Sequence, residues 1–346
     1  MHRRQISSLF NLVFAVCICA APRLCAQSTP QHSLLALSKG AHTLAIVDPS
    51  TLKVLARAPV GPDPHEVIAS SDGKTAYVSI YGFGAYHTLS VIDLVSQKPL
   101  TDIDTGALNG PHGLAFVGGR VWFTAEGAKV VARYDPATNK IDWVMGTGQN
   151  RTHMIYVTPD EKHVYTTNVA SATVSFLEQV TLPPMRPPGG RPGPTRMDWS
   201  QTVIPVGKGD EGFDVSSDGR ELWTANAEDG TISIIDIAAK KVTDTLDAKV
   251  FGANRLKFTR DSKYALISSL RSGDLVIYDV KTRKPFKSVA IGHGAAGILV
   301  QPDGARAFVA CTPDNYVVVL DLNSFQVTGH IDVGPGPDGL AWATRP

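Results

Sequence analysis

Three histidines and a glutamate occupy one register position of a repeated pattern: His65, His112, His153 and Glu211. Asn254, Ala296 and Asp338 fill the same position in the remaining repeats. The register has independent support. Val60-Gly61, Val206-Gly207, Ile291-Gly292 and Val333-Gly334 precede four of these residues by five and four positions. Imidazole and carboxylate donors suit zinc, iron, manganese or copper, and three His with an open position suit a catalytic ion. No motif demands a cofactor, and one divalent transition-metal ion is what this ring would take. Such an ion polarises a carbonyl or activates water for hydrolysis or elimination. Glu211 would be either the fourth ligand or the general base. The same residue types also cap backbone groups and bind water before strands, which is the structural alternative.

Other polar residues fall nearby. A second circle is expected at Ile80, Ala125, Asn168, Asn226, Ser269, Cys311 and about Lys39, with Asn168 and Asn226 able to orient a polar ligand. Arg255 and Arg271 would clamp an anion. Together with Asn254 and Asp338 these complete the expected ligand-binding set. The aromatic, Gly-rich run from Tyr81 to His87 projects on the same face, as a flap or as packing. Asp214 and Lys257 share a column in neighbouring repeats, which predicts a structural ion pair. Several chemistries are excluded. There is no C-x-x-C-H, Ala69 stands where a second metalloprotease His would follow His65-Glu66, and no G-x-S-x-G or G-x-x-x-x-G-K-[ST] occurs. Cys311, at a strand end, reads as packing.

The elements that must position these residues follow from self-comparison. Apolar segments end in an acid at Asp48, Asp93, Asp135, Glu178, Asp236, Asp279 and Asp321, spaced by 45, 42, 43, 58, 43 and 42 residues. Between them recur turns such as Ser71-Asp72-Gly73-Lys74 and Ser217-Asp218-Gly219-Arg220, in which Asp-Gly supplies the positive φ of a tight hairpin. Four strand-like runs per repeat at this period predict an all-β, seven-bladed β-propeller of four-stranded antiparallel blades. Residues 33–59 hold three strands without a first, and Asp338 to Ala343 is a first strand without successors. Pairing them closes the ring and hides both edges. The inner strands then bring the seven ring residues to one mouth of the central channel.

Val164-Tyr165-Thr166-Thr167-Asn168, Leu222-Trp223-Thr224-Ala225-Asn226 and Ala76-Tyr77-Val78-Ser79 resemble the repeat of the YVTN family of bacterial β-propellers, YncE-like proteins included. The resemblance covers the mature chain and implies an exported seven-bladed propeller. It does not imply one activity, since related propellers include lactonases, redox-enzyme subunits and binding modules. The second blade is different. Gly110-Pro111-His112-Gly113, Val121-Trp122-Phe123-Thr124 and Tyr134-Asp135-Pro136 are similar to streptogramin lyase repeats.

The chain has 346 residues with 33 Lys plus Arg against 32 Asp plus Glu, so no strongly basic field for nucleic acid exists. Residues 1–26 read as a cleaved signal peptide, with Arg3-Arg4, an apolar run from Ile6 to Ala21 and a small-residue end at Ala26. The apolar run is too short for a stable membrane span. Its removal takes Cys17, Cys19 and Cys25, leaving Cys311 alone, and leaves 30 basic against 32 acidic side chains. The expected product is a single propeller domain, residues 27–346, periplasmic or secreted and monomeric. Residues 181–198, with six Pro, three Gly and three Arg, are expected to be a solvated loop without strands on the opposite face. Two functions remain open. One is a binding propeller holding a small polar ligand or a protein partner at the channel mouth. The other is a metal-dependent hydrolase or lyase, lactonase-like or streptogramin-lyase-like, centred on the His/Glu ring.

Overall fold

A computed structural model describes residues 28–185, 188–191 and 193–346. The expected signal peptide, residues 1–26, and with it Cys17, Cys19 and Cys25, lie outside the described residues. The rest form seven antiparallel sheets arranged as blades of a closed propeller. Numbered in chain order, blades 1 to 7 begin with inner strands Pro64–Ala69, Pro111–Val117, Thr152–Val157, Asp210–Val215, Ala253–Phe258, Ala295–Val300 and Pro337–Thr344. Blade 7 is completed by His32–Ser38, Thr43–Asp48 and Lys53–Pro59, and Leu34 pairs with Trp342 across the seam. The two chain ends therefore close the ring as the repeat pattern requires.

The recurring acids and Asp-Gly turns have a physical basis. In the first hairpin of a blade, Asp218 Oδ1 accepts from Ser216 Oγ at 2.7 Å and from the Arg220 amide at 3.1 Å. Asp72, Asp160 and Asp261 repeat this arrangement. At third-strand ends, Asp48, Asp279 and Asp321 accept amide hydrogens from the next turn. Short polar side chains thus satisfy turn backbone that no strand can pair. The core is divided in the same way, into seven apolar clusters each filling the seam between two blades.

The insertion departs from expectation. Thr173–Leu182 and Arg196–Pro205 are ten-residue strands paired as far as Leu182 with Arg196. Residues 181, 182 and 196–198 are thus strand, not loop. The hairpin of blade 3 simply continues past the sheet, because the prolines all fall between its two ends and none removes a donor from the paired stretch. Among the described residues, no helix is long and apolar enough to cross a membrane.

Candidate functional site

All seven ring residues line one cavity of about 600 Å³ at the channel mouth. The backbone explains how. Every inner strand is irregular in its pairing near the ring position, for example between Asp210 and Phe213 and between Ala253 and Leu256. A bulge bends the strand and re-aims a side chain. Second-strand hydroxyls repair the interrupted ladder. Thr124 Oγ1 accepts from the Gly113 amide at 2.9 Å and donates to the His153 carbonyl of the next blade at 2.5 Å. Thr167 and Ser268 make the corresponding bonds to the carbonyls of Glu211 and Ala296. Glycine follows the ring residue in blades 2, 4, 6 and 7 because neighbouring inner strands nearly touch. A Cβ on Gly113 would stand 2.5 Å from the His153 carbonyl oxygen.

This close approach brings the histidine rings together, tilted against one another. Ring centroids lie 5.0 Å apart for His65 and His112, and 3.8 Å for His112 and His153. His112 and His153 are buried. Glu126, also buried, hydrogen-bonds His153 Nδ1 through Oε1 and accepts from the Tyr81 hydroxyl at 2.5 Å through Oε2. The donor atoms of His112, Glu126 and His153 all lie within 4.8 Å of one another. His112 Nδ1 has no hydrogen-bond partner although it is buried. Burial, and then the neighbouring His153, push the His112 imidazole well below its ordinary pKa, so it is neutral. Burial alone would raise the Glu126 carboxyl, but His153, Tyr81 and Arg151 outweigh it and hold it below the usual range.

The other walls are committed differently. Lys39 Nζ donates to His65 Nε2 at 2.7 Å and stands 3.2 Å from Asp338 Oδ2 and 3.5 Å from Asp63. His65 Nδ1, 3.2 Å from the Asp63 carbonyl, therefore carries the proton. Burial lowers the His65 pKa, and Lys39 adds to that against the pull of Asp338. Glu211 Oε2 accepts from Asn254 Nδ2 at 2.7 Å, and Arg151 stands 3.5 Å from Oε1. Arg255 is buried and paired with Glu66 of blade 1, while its other nitrogen donates to Asn254 Oδ1 at 3.1 Å. Lys39, Arg151 and Arg255 thus face Asp63, Glu66, Glu126, Glu211 and Asp338. The cavity wall itself carries Lys39, Arg151 and Arg255 with Glu211 and Asp338, so its charges are largely paired.

Several expectations need correction. His65 and Glu211 line the mouth but are outside the converging donor set, since Lys39 takes the one and Asn254 and Arg151 take the other. Asn168 and Asn226 are fully buried inside their blades. The Asn168 amide donates to Thr173 and Ser175, and that of Asn226 to Thr231 and Ser233. Arg271 is exposed and does not line the cavity. Arg255 is tied to Glu66 and cannot form an anion clamp with it. Cys311 is buried, its thiol pushed up to about 12 by burial, which suits packing. The Asp214–Lys257 ion pair forms at 3.4 Å.

Glu126, Leu270 and Thr312 were missed for one reason, whereas Lys39 and Tyr81 were expected on this face. They follow the second-strand ends by a single residue, and a strand alternates its faces with period two. The second circle was therefore drawn one residue early: Ala125 packs in the seam, and Glu126 reaches the mouth. The Tyr81–His87 run includes a short turn at Gly82–Gly84 that sets Phe83, 89% exposed, on the cavity rim.

Comparison with solved structures agrees on the fold. A functionally unknown protein from Desulfotomaculum acetoxidans DSM 771 superposes with a TM-score of 0.72 at 12% identity, covering 91% of this chain and 99% of that one. A putative 6-phosphogluconolactonase from Bacteroides fragilis NCTC 9343 gives 0.69 at 16% identity, covering 91% and 99%. A similar putative 6-phosphogluconolactonase from Bacteroides uniformis ATCC 8492 gives 0.70 at 15% identity, covering 91% and 100%. No protein-family model matches the chain, and no curated protein matches it significantly. The likeness to the YVTN repeat thus rests on the repeat residues themselves.

Proposed function

We propose that this propeller binds one divalent transition-metal ion on His112, His153 and Glu126 and catalyses hydrolysis or elimination in a small polar molecule held at the channel mouth. The observation that carries the reading is the convergence of three buried donor side chains beside the cavity at the channel mouth, with His112 Nδ1 buried and unpartnered. An unsatisfied buried polar atom costs about 1–3 kcal/mol, which a bound cation would offset. Neutral imidazole is the form that ligates, and His112 is held in it by burial. The ion would supply carbonyl polarisation or an activated water. Tyr81 and Arg151 steady the second oxygen of Glu126, as outer contacts steady a ligating carboxylate. Glu211, fixed by Asn254, is the general base in this reading. Phe83 and Leu270, both exposed on the rim, would cover the apolar part of a substrate. Action as a monomer in the periplasm or medium belongs to the same proposal, on the leader-like residues 1–26.

The test is elemental analysis of protein purified without chelator or His-tag, followed by titration with zinc and manganese. About one ion per chain is expected in the wild type, and none in the His112→Ala/His153→Ala variant, because binding requires those deprotonated nitrogens. Glu126→Gln should weaken loading at least about ten-fold, as loss of a ligand carboxylate does. Lactones and esters head the substrate panel, because two structural neighbours are described as putative lactonases. Unchanged metal content in the double variant, or no uptake by the wild type, would overturn the reading. Uptake without turnover would leave a metal-bearing binding propeller.

A further inference from the structure

A second cleft opens on the face opposite the channel mouth, in the seam between blades 5 and 6. It has a volume of about 470 Å³ and is lined by Arg260, Lys263, Tyr264, Leu322 and Phe325, among others. Three aromatic rings meet at its edge: Tyr264 and Phe286 at 4.6 Å, Tyr264 and Phe325 at 5.2 Å, and Phe286 and Phe325 at 5.4 Å between centroids. Phe286 is 48% exposed, a large apolar surface left in water. Cations sit over this cluster, Lys263 Nζ 5.1 Å from the Tyr264 ring and Lys287 Nζ 5.8 Å from that of Phe325.

The charges of the cleft are unbalanced in a specific way. Asp261 accepts from Thr259 Oγ1 and the Lys263 amide, and Asp303 from Gln301 Nε2 and the Ala305 amide. Both carboxylates are therefore turned into their own turns. Among the described residues, Arg260, Lys263 and Lys284 have no carboxylate within salt-bridge distance, and Asp261 and Asp279 act on Lys263 only at longer range. Arg283 is different, being held by Glu221 and Asp244. What faces solvent is thus an aromatic floor rimmed by cations without ion-pair partners, beside two carboxylates whose oxygens are engaged by their own turns. Next to it, the outer strand Lys284–Ala290 pairs on one side only, so the surface continues past Phe286 along an extended edge.

We propose that this cleft docks an extended acidic peptide segment of a partner protein, with an aromatic side chain on the Tyr264–Phe286–Phe325 cluster and carboxylates on Arg260 and Lys263. Aromatic burial would supply most of the affinity, and the cations would set orientation and on-rate. The site is independent of the metal centre.

The test is fluorescence anisotropy of a labelled peptide of about twelve residues alternating Glu with Phe, at salt concentrations that bracket the screening range of about 0.05–0.3 M. A peptide with Lys for Glu is the control. Saturable binding that weakens with salt is expected for the acidic peptide alone. Arg260→Glu/Lys263→Glu should weaken it at least about ten-fold by reversing the rim charge. Phe286→Ser should also weaken it, and His112→Ala/His153→Ala should not. Arg260, Lys263 and Phe286 are exposed, so folding of their variants is checked by an unchanged melting temperature. Absence of saturable binding, equal binding of the Lys peptide, or unchanged affinity in the charge-reversed variant would overturn the proposal. So would full competition by millimolar phenylacetate, which would assign the cleft to a small aromatic acid, or binding to anionic lipid vesicles in place of the peptide.

Discussion

Asp210 sits one residue before Glu211 and directly opposite Asn226 in the first hairpin of blade 4. It is completely buried, and its Oδ1 has no partner, while Asn226 Oδ1 is likewise unpartnered. Two facing acceptors imply a missing proton. Burial drives the Asp210 carboxyl well above its ordinary value, further than the Asn168 amide bond lowers it, so the acid is neutral and can donate to Asn226. The sign of the pH effect follows. A folded pKa raised above the unfolded one contributes stability below the unfolded value, and that stability is lost as pH rises through the folded one. Asp210→Asn should therefore stabilise the protein at neutral pH by about 1–3 kcal/mol, because its amide donates without the proton uptake that the acid must make on folding. It should also flatten the melting temperature between pH 4 and 8, starting near the ordinary carboxyl value of about 3.9. Thermal scans across that range check this, and an unchanged slope would reject the neutral acid. The sequence pointed to the histidines because residue type and repeat register coincide there. It did not point to Glu126 or Asp210, whose roles depend on a one-residue alternation and on a partner in another strand.

At the scale of strands, the propeller was readable because each blade repeats the same turn chemistry. An Asp that caps its own hairpin, as Asp218 does, gives a periodic signal that no packing detail can erase. The extended hairpin of blade 3 was not readable, since Pro-rich composition describes the loop at its tip and not the strands that carry it. The bulges at the inner-strand starts were equally hidden, although a Gly after the ring residue marks four of them. That glycine supports a direct test. Gly113→Ala would press a methyl against the His153 carbonyl, where backbone must yield. It should cost about 1–3 kcal/mol of stability, the usual cost of overpacking. It should also part His112 from His153 and weaken metal uptake. Calorimetry and the zinc titration measure the two effects separately, and a variant as stable as wild type with unchanged uptake would show that the strands do not need this contact.

The whole ring is held by two kinds of bond. One is the hydrogen-bonded seam of blade 7, which joins the chain ends along the sheet. The other crosses the channel: Glu66 of blade 1 and Arg255 of blade 5 form a buried ion pair. From Arg255 a polar chain runs through Asn254, Glu211 and Arg151 to Glu126 and His153. The tie therefore has a mechanical role and a positioning role, and substitutions can separate them. Glu66→Gln should destabilise the fold by about 3–5 kcal/mol, because a guanidinium is left buried without its counter-charge. Replacing both residues, Glu66→Met/Arg255→Met, should restore most of that stability, since a packed apolar pair of similar volume is often as good as a buried ion pair. The double variant still removes the donor that holds Asn254 Oδ1, so Glu211 should lose its fixed orientation while His112, His153 and Glu126 keep theirs. Its metal content should then match wild type, while any turnover that needs Glu211 as base falls. Calorimetry, elemental analysis and turnover on the same three proteins distinguish these outcomes. If the double variant is as unstable as Glu66→Gln, the channel needs the charges themselves and not merely their volume. If turnover survives intact in a stable double variant, the chain from Arg255 to Glu211 transmits nothing, and the base must be held by Arg151 alone.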